Sequence, residues 1–136
     1  MNDKTLRGVL EIMTQTPGIR ACALVKTTTG TIWHRAGDAP ELAEMAHAAA
    51  EHWELYRGRG RTFRGMGPLV AGIMIHEDGR MTLLPCGNQL ILLILTDQNP
   101  SLDWDKLQRR AHNLARFIAR SGLPRSESYR DDPPTG

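Results

Sequence analysis

The chain has no run of about 18 apolar residues, so there is no segment to place as a transmembrane helix. Its opening, MNDKTLRGVLEIM, has no apolar core ahead of a small-residue cleavage site. No secretory signal is therefore expected, and a reducing, cytoplasmic setting is. There are two cysteines, Cys22 and Cys86, far apart in sequence, which excludes a disulfide framework and a CxxC redox or metal motif. The five histidines, His34, His47, His52, His76 and His112, are scattered, and no HExxH is present. His47 and His52 would fall on different faces of a helix, so no metal site is expected. Neither GxxxxGK[ST] nor a GxGxxG between strand and helix occurs, which argues against nucleotide hydrolysis by this chain alone. No Ser/His/Asp set or pair of strand-end carboxylates is visible, and no cofactor is expected. A net charge of +2 selects no class of partner. Together these absences point to a protein that is not an enzyme and works by its surface.

At 136 residues the chain suits one domain with one core. Its organising stretch is Leu69 to Thr96, LVAGIMIHEDGRMTLLPCGNQLILLILT. Three apolar runs are separated by Glu77-Asp78-Gly79-Arg80 and by Pro85-Cys86-Gly87-Asn88, two reversal signals. This predicts a meander of three antiparallel strands. Leu90 to Leu95 is apolar without alternation, as in a central strand covered on both faces.

Upstream, residues 3–15 predict a helix with Leu6, Val9, Leu10 and Met13 on one face, ended by Pro17-Gly18. Ile19 to Lys26 reads as an inner strand, with Ala21, Ala23 and Val25 facing one way and Cys22 and Leu24 the other. Thr31 to Ala36 alternates like a half-wet edge strand. A second helix is expected over Ala39–Tyr56, with Asp38 and Glu41 as a capping-box pair and Leu42, Met45, Ala46, Ala49, Trp53 and Tyr56 as its apolar stripe. RGRGRTFRGMG, residues 57–67, has no apolar period and reads as a loop. Ser101 is expected to cap a last helix, whose stripe is Trp104, Leu107, Ala111, Leu114, Ala115 and Ile118, with Gly122 and Pro124 as its stop. The domain is expected to span residues 1–122, followed by a polar, disordered tail over 123–136.

These elements predict an α+β fold of order α-β-β-α-β-β-β-α, a five-stranded antiparallel sheet sandwiched by helices. The first and last helices would share one face. The second helix alone is too narrow for the other face, which leaves apolar area for a second copy of the chain to cover.

Two features compete for chemistry. Arg57, Arg59, Arg61 and Arg64 could track nucleic-acid phosphates, reach an acidic partner, act on a bound nucleotide, or simply be solvated. No helix-turn-helix or RNA-recognition signature accompanies them. Cys86 lies in a reversal and could be exposed, with His76 within reach as a base, but nothing in the sequence requires this and a structural cysteine is the expectation; Cys22 belongs to a core.

The order of elements, with PGIRACALVKTTTGTIW as a first hairpin and LILLILT leading into a long last helix, resembles the Roadblock/dynein-light-chain family over about residues 3–122. The RGRGR segment is a departure from the family pattern. The resemblance implies a homodimer made by adding the third strand of one copy to that of another. That would place Leu69, Ala71, Ile73, Met74 and Ile75 at the joint, with Ala46, Ala49, Ala50 and Trp53 of the second helix beside it. It further implies a non-catalytic regulator or scaffold for a small Ras-like GTPase. Partner-binding candidates are His47, Glu51, Glu54, Arg57, Arg59, Arg61 and Arg64. The alternatives are a profilin-like small-ligand sensor and a nucleic-acid binder acting through the Arg57–Arg64 loop.

Overall fold

The computed structural model describes residues 3–98 and 102–121. Within them the elements are α1 (Asp3–Met13), β1 (Ile19–Lys26), β2 (Ile32–Gly37), α2 (Leu42–Arg57), β3 (Gly72–His76), β4 (Gly79–Pro85), β5 (Leu90–Thr96) and α3 (Trp104–Ser121). The expected order of elements is the observed one. The proposed tail and the Gly122–Pro124 stop lie outside the described residues, as does Ser101.

One sheet runs β2-β1-β5-β4-β3 with every neighbouring pair antiparallel. The unbroken apolar strand β5 is its centre, and only Leu95 of its seven residues is not fully buried. The chain leaves the sheet at one edge, β2, and re-enters at the other, β3. Four inter-strand steps span about 19 Å. A helix of α2's length spans about 24 Å, enough to carry the chain across.

Strand alternation sorts the core into two layers. Cys22, Leu24, Leu84, Leu92 and Ile94 face α1 and α3, where they meet Leu6, Leu10, Met13, Leu107, Ala111, Leu114 and Ile118. Ala21, Ala23, Val25, Leu83, Ile91 and Leu93 face α2, where they meet Leu42, Ala46, Ala49, Ala50 and Trp53. Small side chains on both partners bring α2 down onto β1 and β5.

Several local expectations are corrected. α2 begins at Leu42 with Glu41 as N-cap and no side-chain capping bond, because a turn closed by Leu42 N–H on the Ala39 carbonyl comes first and replaces the capping box. α3 is capped by Asp103, whose Oδ1 accepts from Lys106 N–H at 3.2 Å. Tyr56 (44 % exposed) and Trp104 (37 %) are not buried stripe residues, since each sits at a helix end beyond what the sheet covers. β2 is the half-wet edge strand expected: His34 and Ala36 are buried under α1, and Arg35 is exposed.

Candidate interaction surfaces

The face under α2 is incompletely covered. Between the α2 flank formed by Met45, Ala48 and His52 and the outer strands lies an open groove of about 610 Å³. Its floor is Met74, Met81 and Leu95, and His76, Glu77, Asp78 and Arg80 close one end. The register explains the floor: Met74 pairs with Met81 and Met81 with Leu95, so three apolar side chains align across β3, β4 and β5. Beyond the groove, β3 is the edge of the sheet and, among the described residues, has a neighbour on one side only. Ile73 (46 % exposed) and Ile75 (68 %) project from its opposite face, which α3 does not reach across β4 to cover.

One arginine holds the end of this groove. Arg20, at the start of β1, donates from Nε to Asp97 Oδ1 at 3.1 Å and from Nη2 to the Asp78 carbonyl at 2.7 Å. It thereby spans β5 and fixes the β3–β4 turn. Gly79 admits this contact: a Cβ there would stand 3.2 Å from the Thr96 carbonyl oxygen and 3.3 Å from Arg20 Nη2.

The other flank of α2 meets the β1–β2 turn. Thr27, Thr28, Thr29 and Gly30 face His47, Ala50, Glu51 and Glu54 around a hollow of about 440 Å³. Gly30, at φ +78°, lets the turn approach so closely that a Cβ would come within 2.8 Å of the His47 ring. His47 Nδ1 lies 4.0 Å from Glu51 Oε2. Arg57 donates to Glu54 Oε1 at 2.8 Å. That bond, with the Thr27 hydroxyl nearby, holds the Glu54 carboxyl below the usual range. His47 and Glu51 are exposed, and Glu54 is half-buried.

The arginine segment is a loop between α2 and β3, as expected, and it is wound into turns. Backbone bonds from Arg59 to Tyr56, Gly60 to Arg57, Thr62 to Arg59, Met66 to Phe63 and Gly67 to Arg64 wind it into consecutive turns, the last a short 3-10 turn over Arg64–Met66. Phe63 stacks on Tyr56, with ring centroids 4.6 Å apart and planes at 9°. Arg57, Arg59, Arg61 and Arg64 are all exposed.

The expected joint residues divide. Ile73 and Ile75 are exposed, while Leu69, Ala71 and Met74 are half-buried. Ala46, Ala49, Ala50 and Trp53 are buried in the chain's own core, so they are occupied by its own sheet. The side chains α2 offers outward along the groove are instead Met45, Ala48 and His52, none of them among the expected joint residues. The spacing of Met74, Met81 and Leu95 could have pointed to the floor, because apolar residues at paired positions of adjacent strands form one strip.

Cys86 is fully buried, as a structural cysteine is. Its thiol points under α3 and donates to the Ala111 carbonyl at 3.6 Å. Cys22 does the same beneath α1, 3.4 Å from the Leu10 carbonyl. Burial pushes both thiols up to about 12, so neither is a nucleophile near neutral pH. Among the described residues no three His, Cys, Asp or Glu side chains gather as metal ligands, and no helix is long and apolar enough to cross a membrane.

No family model and no curated protein matches the sequence. Solved structures do match its shape. A Roadblock/LC7 domain from Streptomyces avermitilis superposes with a TM-score of 0.70 at 18 % identity, covering 85 % of this chain and 95 % of that one. MglB of Myxococcus xanthus gives 0.75 at 14 % identity over 88 % and 99 % of the two chains. The gliding protein MglB of Thermus thermophilus gives 0.72 at 19 % over 88 % and 94 %. With the element order, the sheet topology and the two-layer core, these matches show that the chain has the fold of the Roadblock/LC7 domains, the family its sequence resembles.

Proposed function

We propose that the protein is a homodimeric, non-catalytic regulator of a small Ras-like GTPase. The observation that carries the dimer is the unfinished face: an apolar groove beside α2 that runs to an unpaired edge strand. A second copy would add its β3 to this edge and lay its α2 against the floor of Met74, Met81 and Leu95. Strand addition supplies backbone hydrogen bonds, and the groove supplies apolar burial. A structure of MglB with a tetrameric arrangement, matched at a TM-score of 0.73 and 20 % identity, supports this reading.

The GTPase half of the reading is supported by the fold shared with Roadblock domains and MglB. Its docking surface would be the outer flank of α2: His47, Glu51, Glu54 and the Arg57 that pairs with Glu54. Docking there would act by favouring one arrangement of the GTPase switch loops. The test is capture from native lysate with GTP analogue in one arm and GDP in the other. A Ras-like GTPase enriched in the GTP arm, and lost with Glu51→Lys, supports regulation. Equal recovery in both arms supports scaffolding. Recovery of no GTPase in either arm removes the reading.

A further inference from the structure

Between Glu54 and Glu77 the chain carries four arginines and no carboxylate. Eight large hydrophobic side chains are exposed among the described residues, and six of them fall in this interval. Ile73 and Ile75 belong to the β3 edge. Leu55 (63 % exposed), Met66 (79 %) and Val70 (61 %) flank the arginines instead. Arg59, Arg61 and Arg64 form no ion pair among those the structure shows, whereas Arg57 is taken up by Glu54.

We propose that the segment from Leu55 to Val70 docks on an anionic lipid surface, its arginines meeting headgroup phosphates and Met66 and Val70 entering between the headgroups. Three observations select this partner. Charge and apolar exposure coincide in one segment, and a membrane interface takes up both, as it does for basic amphipathic elements. The segment's only aromatic beyond the end of α2, Phe63, is already stacked on Tyr56, so the segment offers at most one ring face where single-strand binders present a series of aromatics. Finally, the segment's own backbone bonds hold it in turns before any partner arrives, so docking orders little chain. The proposal shares only Arg57 with the GTPase reading and uses no residue that lines the groove, and its tests are made at Arg59, Arg61, Arg64 and Met66.

The test uses the full chain and vesicles of phosphatidylcholine, with and without roughly a third phosphatidylserine. Sedimentation at low salt should carry the protein down with the anionic vesicles only, and added salt should release it. Replacing Arg59, Arg61 and Arg64 together by Gln should weaken partitioning about a hundredfold, since each cation near such a surface contributes roughly a factor of five. Met66→Ser should weaken it by about tenfold through lost apolar insertion. Circular dichroism of both variants should match the parent, because all four side chains are exposed. Absence of binding to anionic vesicles at low salt would overturn the proposal, as would a triple variant that partitions like the parent. Tighter, salt-sensitive binding to a single-stranded oligonucleotide or to polyglutamate, indifferent to Met66→Ser, would overturn it in favour of a nucleic acid or an acidic protein.

Discussion

On the face under α1 and α3, leucines, an isoleucine and a methionine from two helices interlock with Leu24, Leu84, Leu92 and Ile94. On the face under α2, Ala46, Ala49 and Ala50 lie on Ala21 and Ala23, and the outer strands are left open. The first face is closed by the chain itself. The second is close-packed where α2 lies and unfinished beside it. The difference teaches where each kind of sequence change should register: in fold stability on the first face, in assembly on the second.

Leu92→Ala should have the largest effect. It removes a fully buried side chain from the centre of the sheet and should cost about 2–5 kcal/mol, read as a fall in urea midpoint. A loss below about 1 kcal/mol would mean that this face is looser than described.

Ile73→Asp should leave the fold intact by circular dichroism, since the side chain is exposed in the single chain. Placing a charge at the β3 joint should raise a dimer dissociation constant by at least about a hundredfold. Light scattering should then report a monomer for the variant and the proposed dimer for the parent. A dimer that persists moves the interface away from β3.

Ala49→Leu asks the converse question of the α2 face. Ala49 is fully buried against the sheet, so overpacking there should cost about 1–3 kcal/mol and lift α2 off β1. A neutral result would show that α2 can ride further from the sheet than its alanines suggest.

The buried thiols predict a pH effect on the closed face. Their pKa rises from 9.0 to about 12 on folding, so between these values the folded state holds protons that the unfolded chain has lost. This stabilisation is therefore complete below pH 9 and lost as pH rises towards 12. Each thiol should lower stability by up to about 1.4 kcal/mol per pH unit across that window. Urea midpoints at about pH 8 and about pH 10 should diverge less in a Cys22→Ala, Cys86→Ala variant than in the parent.

The smallest effect should be Arg57→Gln. Its ion pair with Glu54 is a surface one, and its loss should cost under about 0.5 kcal/mol at neutral pH. Because the Glu54 pKa is lowered in the fold, this contribution should fade as pH falls through the carboxylate range. A GTPase-binding defect in the variant without a stability defect would place Arg57 in the docking surface.

Periodicity made the layers legible. The unbroken LILLIL gave the central strand, and the alternation of Ala21, Ala23 and Val25 against Cys22 and Leu24 gave both faces of β1. What failed was whatever depended on which element covers another. Cys86 reads as a turn residue, and only α3 lying across the β4 end buries it. Tyr56 continues a helical stripe in sequence but lies past the point where the sheet supports it. The groove was legible only as a shortage of cover; its lining of Met45, Met74, Met81 and Leu95 comes from pairing register. The arginine segment reads as irregular because its order resides in backbone bonds within single turns, which leave no side-chain period.

The β3–β4 turn joins the rest of the sheet through one strand partner and the Arg20 bond to the Asp78 carbonyl. In the isolated chain β3 is therefore the strand whose amides should exchange with solvent first, well ahead of those in β5. The order in which the strands open follows from their position in the sheet. Any occupant that pairs with β3 would be read out as a delay at this edge, with the centre of the sheet unchanged.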